Sequence, residues 1–128
     1  MVAQGRVSEI FDDARTQHQA ALERLGAGDI RDAAEKAWCA TKRATDALIL
    51  AWTGEEPGPT ALTSNGLDTL TREDSRVKLL VGRYYSRISR LHGQCFYNGR
   101  CPSPETERRI RETADYIQDA EQLAGSVL

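Results

Sequence analysis

The chain has 128 residues, room for one ordinary domain (residues 1–128) and too few for two with separate cores. Its 17 basic and 19 acidic residues give a net charge of -2, which excludes the global basic excess of a protein held to nucleic acid by bulk charge. Hydrophobic residues make up 40% and charged residues 28%, a globular composition rather than a disordered one.

Residues 1–19 interleave Arg6, Glu9, Asp12, Asp13 and Arg15 with apolar positions, unlike a signal-peptide core. The longest apolar stretch without charge, Ala47 to Gly54, falls far short of the ~20 residues a membrane span needs. Cys39, Cys95 and Cys101 cannot all pair within one chain, so no disulfide framework is expected and a reducing cytoplasm is the default location.

Apolar spacing predicts four helices. The first covers about Arg6 to Leu25, with Val7, Ile10, Phe11, Ala14, Ala21, Leu22 and Leu25 at three- and four-residue intervals. Gly26-Ala27-Gly28 stops it, and Asp29 is placed to cap the second, Ile30 to about Thr53, whose alanines allow close approach of a neighbour. The two form an antiparallel hairpin. Gly54 to Gly66 contains Pro57 and Pro59 and reads as a long crossover loop, with a short turn of helix at Thr60 to Leu70. A third helix follows over about Arg72 to Phe96, its stripe being Val77, Leu80, Val81, Tyr84, Ile88, Leu91 and Cys95. After Asn98-Gly99, the sequence Ser103-Pro104-Glu105 starts a fourth helix, with Pro104 as its first residue. The expected fold is all-α, an antiparallel four-helix up-and-down bundle with a long loop between helices 2 and 3.

Charge is distributed unevenly. Ser75 to Cys101 carries Arg76, Lys78, Arg83, Arg87, Arg90 and Arg100 and no acid at all. At ~100° per residue, Arg76, Arg83, Arg87 and Arg90 fall within about 60° of one another on a continuous helix. Such a stripe suits phosphate, onto which guanidinium forks bidentately. A row of salt bridges to acids of neighbouring helices would satisfy it equally. The same helix holds Arg87-Ile88-Ser89-Arg90-Leu91-His92, in which His92 can move a proton and Arg87 can stabilise a phosphorane-like charge. His92 also reads as an ordinary hydrogen-bonded boundary residue. His92, Cys95 and Cys101 lack a fourth ligand and paired zinc spacing, so no metal is assigned, and no cofactor fingerprint is present.

These residues resemble the HEPN superfamily of small helical nucleotide- and RNA-associated proteins. The resemblance rests on the alanine-rich second helix after a short turn, the variable Gly54–Gly66 connection, and R-x4-H at Arg87 and His92 followed by Phe96-Tyr97. It implies a homodimer whose Arg and His meet across the interface. It further implies metal-independent endoribonuclease activity in a toxin paired with a nucleotidyltransferase antitoxin. Carried over, Arg87 and His92 are the catalytic pair; the charge stripe adds Arg76, Arg83 and Arg90, with Tyr97, as the residues expected to bind RNA or nucleotide phosphate. The chain departs from the pattern in having Ile88 directly after the arginine and Gln94 two residues after the histidine. The alternative is a non-catalytic nucleotide-binding or protein-interaction module.

Overall fold

The turn between the first two helices shows how local chemistry directs the chain. In the computed structural model, which describes residues 2–127, α1 spans Val2–Gly26 and α2 spans Ile30–Thr53. Gly28 adopts a left-handed φ of 86°, open to glycine without a Cβ clash. Asp29 then caps α2 by accepting the Asp32 amide at 3.1 Å. Ion pairs Arg24–Asp32, Arg43–Asp13 and Arg6–Glu56 step away from the turn on both sides, the pattern of an antiparallel hairpin. Ala33, Ala37, Ala40, Ala44 and Ala47 of α2 are buried, and this small-residue helix is packed by α1, the C-terminal helix and the segment carrying His92.

The all-α class stands, and the described residues contain no strand. The four-helix layout needs correction at three places. First, the irregular stretch after α2 ends at Pro59, and α3 runs Thr60–Glu73. Pro59 occupies the N-cap with φ -65°, where the short helix expected from Thr60 begins, and that helix is longer than the turn expected. Thr63, Leu67 and Leu70 bury one face of α3. Gly66 lies so close to α2 that a Cβ would come within 2.9 Å of Ile49 Cδ1. The buried Asp46 carboxylate ties α3 to α2, accepting from Thr63 Oγ1 at 2.6 Å and from Lys42 Nζ at 2.7 Å.

Second, the helix expected over Arg72–Phe96 is divided. Asp74, extended at φ -144° and ψ 116°, ends α3 and caps a 3-10 turn over Ser75–Val77. Next come α4, Lys78–Arg87, and a π-helical segment, Ile88–Tyr97. The wider winding shows at its end, where the Asn98 amide donates to the Gly93 carbonyl and the Arg100 amide to the Gln94 carbonyl. Gly99, φ 72°, reverses the chain. Arg31 of α2 holds the end of the segment, donating to the Phe96 and Tyr97 carbonyls.

That reversal brings Cys95 and Cys101 to a Cα–Cα distance of 4.5 Å, and they form a disulfide. The expectation of unpaired thiols is thus corrected for these two, because the turn between them was not legible as a tight one; Cys39 is free. Third, the C-terminal helix is broken at Glu112 into α5, Glu105–Arg111, and α6, Thr113–Gly125, and Pro104 stands just before α5 instead of inside it. Among the described residues no helix is long and apolar enough to cross a membrane.

Candidate functional site

Arg87 ends α4 on its inward face and is only 5% exposed. Its Nη1 donates to the Arg109 carbonyl at 2.9 Å and to Thr113 Oγ1 at 2.7 Å. The guanidinium lies 5.9 Å from the ring of Tyr116, a fully buried residue whose hydroxyl is hydrogen-bonded to Thr45 at 2.7 Å. Arg83, one turn earlier, sits over the same ring at 5.3 Å and forks onto Asp119 at 2.7 and 2.8 Å. Arg87 makes no ion pair among the described residues. Desolvation pushes its pKa down to about 10, and Arg83 adds to the displacement. A cavity of about 190 Å³ opens here, lined by Arg83, Arg87, Arg108 and Arg109 together with Ser86 and a single acid, Glu112. Glu112 is already 3.5 Å from Arg108. Such a cavity is electrostatically unfinished, and an oxyanion would complete it.

His18 of α1 lies close enough to Arg87 to feel its charge. Burial, with that cation adding to it, holds the imidazole below its ordinary pKa against the opposing pull of the Ile110 and Arg111 backbone, and no close, well-aligned hydrogen bond reaches its buried Nε2 among the described residues. The unfolded chain therefore takes up a proton before the folded one as pH falls. Stability supplied by neutral His18 is complete above about pH 6.5 and drains away through the folded pKa below that. His18→Gln is expected to flatten this part of the profile. Urea midpoints at about pH 7.5 and about pH 5 measure it, and equal slopes in both proteins would count against it.

His92 belongs to the π segment and faces α2. Its Nδ1 lies 2.7 Å from Glu35 Oε1, and a carboxylate can only accept there, so the neutral ring carries its proton on Nδ1 and leaves Nε2 as the basic nitrogen. The ring is stacked on Phe96 at 6.2 Å, meets Tyr97 edge-on at 5.4 Å and lies 6.3 Å from Trp38. Arg87 and His92 thus engage different helices and share no partner within one chain.

The single four-arginine stripe does not form. Arg76 lies in the 3-10 turn, forks onto Asp74 at 2.7 Å and sits over Trp52. Arg83 and Arg87 remain one turn apart on α4. Arg90 is exposed on the π segment and bonds Gln94 Oε1 at 3.2 Å, and Tyr97, at the end of that segment, is 69% exposed. The 100° arithmetic assumed an unbroken α-helix, and neither the 3-10 turn nor the π winding keeps that period. Cys95 and Cys101, weighed with His92 as ligands, are bonded to each other. Residues not anticipated include Glu35, 57 positions from His92, and Arg109 and Thr113, which hold Arg87. No local pattern announces these partners.

Together these features define an all-α protein organised around a buried, uncompensated arginine at an arginine-lined cavity. The chain belongs to the archaeal PaREP1/PaREP8 family, whose model matches residues 9–117. That description names neither an activity nor a ligand. No curated protein and no solved structure matches the chain.

Proposed function

We propose that this protein is an HEPN-like helical bundle, acting as a homodimer, that binds RNA or a nucleotide through a phosphate group anchored at Arg87. The observation that carries the reading is the burial of a guanidinium whose hydrogen bonds go to a carbonyl and a hydroxyl, with no ion-pair partner among the described residues, at a cavity shared with three further arginines. A cation kept in the core at a stability cost is better explained by an anionic ligand than by packing. Phosphate oxygens suit the guanidinium fork.

Metal-independent cleavage is a second reading, favoured by the Glu35-fixed His92, whose Nε2 is left to exchange a proton. Within one chain the two groups point to different helices, so cleavage requires a second copy to supply the missing partner. The test has two arms. Titration with labelled RNA and with inorganic phosphate should show binding that weakens with salt and is reduced in Arg87→Met. Incubation with RNA in EDTA should give cleavage that disappears in His92→Ala if the second reading holds. Binding without cleavage leaves the non-catalytic module, and phosphate binding unchanged in Arg87→Met removes the anchor.

A further inference from the structure

A ten-residue π-helical segment is rare, and π geometry recurs where a helix has to present side chains for function. Winding at more than four residues per turn sorts residues 88–98 into three columns. Leu91 and Cys95 are buried in the core. His92, Phe96 and Tyr97 form an aromatic cluster, with Tyr97 edge-on to Phe96 at 5.9 Å. Ser89, Arg90, Gly93, Gln94 and Asn98 form a polar column. With Arg100 they line an open cleft of about 420 Å³ that holds two guanidiniums, a hydroxyl and two amides, but no carboxylate and no apolar side chain.

The chain has more acids than bases, and Arg76, Arg83, Arg108 and Arg111 each have a carboxylate partner. Arg90 and Arg100 have none among the described residues; Arg90 bonds only the neutral Gln94 side chain. Arg100 is not on a loose tail. The disulfide at Cys101, its own amide on the Gln94 carbonyl at 2.8 Å, and the left-handed Gly99 before it fix its backbone at the mouth of the cleft. Tyr97, next in the chain to Asn98 of the cleft lining, is the most exposed of the large hydrophobic side chains among the described residues.

From this juxtaposition we infer that residues 89–100 form a track for single-stranded RNA, with backbone phosphates in the Arg90–Arg100 cleft and an unpaired base stacked on Tyr97. The inference rests on the phosphate-binding reading above and adds a second contact zone, in a cleft that shares no lining residue with the Arg87 cavity. A basic groove bordered by exposed aromatic rings is the arrangement by which proteins hold single strands without reading sequence. A duplex keeps its bases stacked on one another and cannot offer one to Tyr97.

Fluorescence anisotropy with a labelled ten-nucleotide oligouridylate tests this on the intact chain, with circular dichroism as the folding control. Arg90→Ala/Arg100→Ala is expected to weaken binding by about tenfold or more and to reduce the log–log salt slope by about 1.4, at roughly 0.7 per phosphate contact on a single strand. Tyr97→Ala is expected to weaken it by about tenfold with the slope unchanged, and Tyr97→Phe should restore it. An RNA duplex of the same length should bind more weakly than the single strand. The part of inorganic phosphate binding that Arg87→Met removes reports on the Arg87 anchor, independently of the oligomer. Equal affinity of wild type, double variant and Tyr97→Ala for the oligomer overturns the track while leaving the Arg87 anchor standing. Oligomer binding that depends on Arg90 and Arg100, with phosphate binding indifferent to Arg87→Met, keeps the track and removes the anchor. Duplex binding as tight as single-strand binding overturns the stacked base.

Discussion

Arg87→Met is expected to raise thermal stability and weaken phosphate binding in the same protein. Burial displaces the Arg87 guanidinium to about 10, which corresponds to ~3 kcal/mol against the charged form at neutral pH. Methionine is unbranched and flexible, follows the aliphatic stem of the arginine and carries no charge to desolvate. Thr113 Oγ1 keeps a partner after the substitution, since it lies 3.2 Å from the Arg109 carbonyl. Replacement of buried charge by apolar groups is neutral or stabilising by ~1–4 kcal/mol in comparable settings. A net gain of about 1 kcal/mol would move the unfolding midpoint by about 4 °C in a chain this size. Phosphate affinity should fall by at least about tenfold, because charge-assisted hydrogen bonds are lost. Calorimetry and phosphate titration on the same preparation check both parts. A lowered midpoint with binding intact would make Arg87 a structural residue and nothing more.

Asp46→Ala is expected to destabilise the fold by ~3 kcal/mol, measured as the urea unfolding free energy. The carboxylate is fully buried and accepts from Thr63 Oγ1, Lys42 Nζ and Arg43 Nη1, so its removal takes one partner from each of two cations and a hydroxyl where α3 meets α2. The loss sits at the lower end of the range for broken buried ion pairs. Lys42 still reaches the Gly58 carbonyl at 2.8 Å, and Arg43 retains Asp13 at 2.9 Å. Thr63→Val removes only the hydroxyl and should cost ~1 kcal/mol. The double variant should lose less than the sum, since both substitutions break the same contact. A loss below about 1 kcal/mol for Asp46→Ala would mean that α3 is held mainly by Leu67 and Leu70.

The first turn and the buried faces of the first two helices were legible in the sequence. Asp29 caps α2 and Gly28 closes the turn as their local chemistry requires. The alanine face of α2 and the residues Val7, Ile10, Phe11 and Ala14 of α1 are buried where their spacing puts them. The family match over residues 9–117 is likewise a property of the sequence. The helix expected at Thr60 to Leu70 starts where Pro59 puts it and runs on to Glu73, since a proline marks where a helix can begin but not where it stops.

The candidate site was legible only as a list of residue types. Arg83 and Arg87 keep their one-turn relation, but whether a guanidinium points to solvent or to Tyr116 depends on which helix packs over it. The sequence by itself therefore determined an all-α chain, its caps, its core stripes and the basic segment from Ser75 to Cys101. Tertiary structure decided that Arg87 is buried without an ion-pair partner among the described residues, that Glu35 orients His92, that Cys95 meets Cys101, and that residues 88–97 wind as a π-helix. Local propensity acts over a few residues of backbone, whereas these outcomes come from contacts between elements packed against one another. Their free energy appears only once the chain has closed.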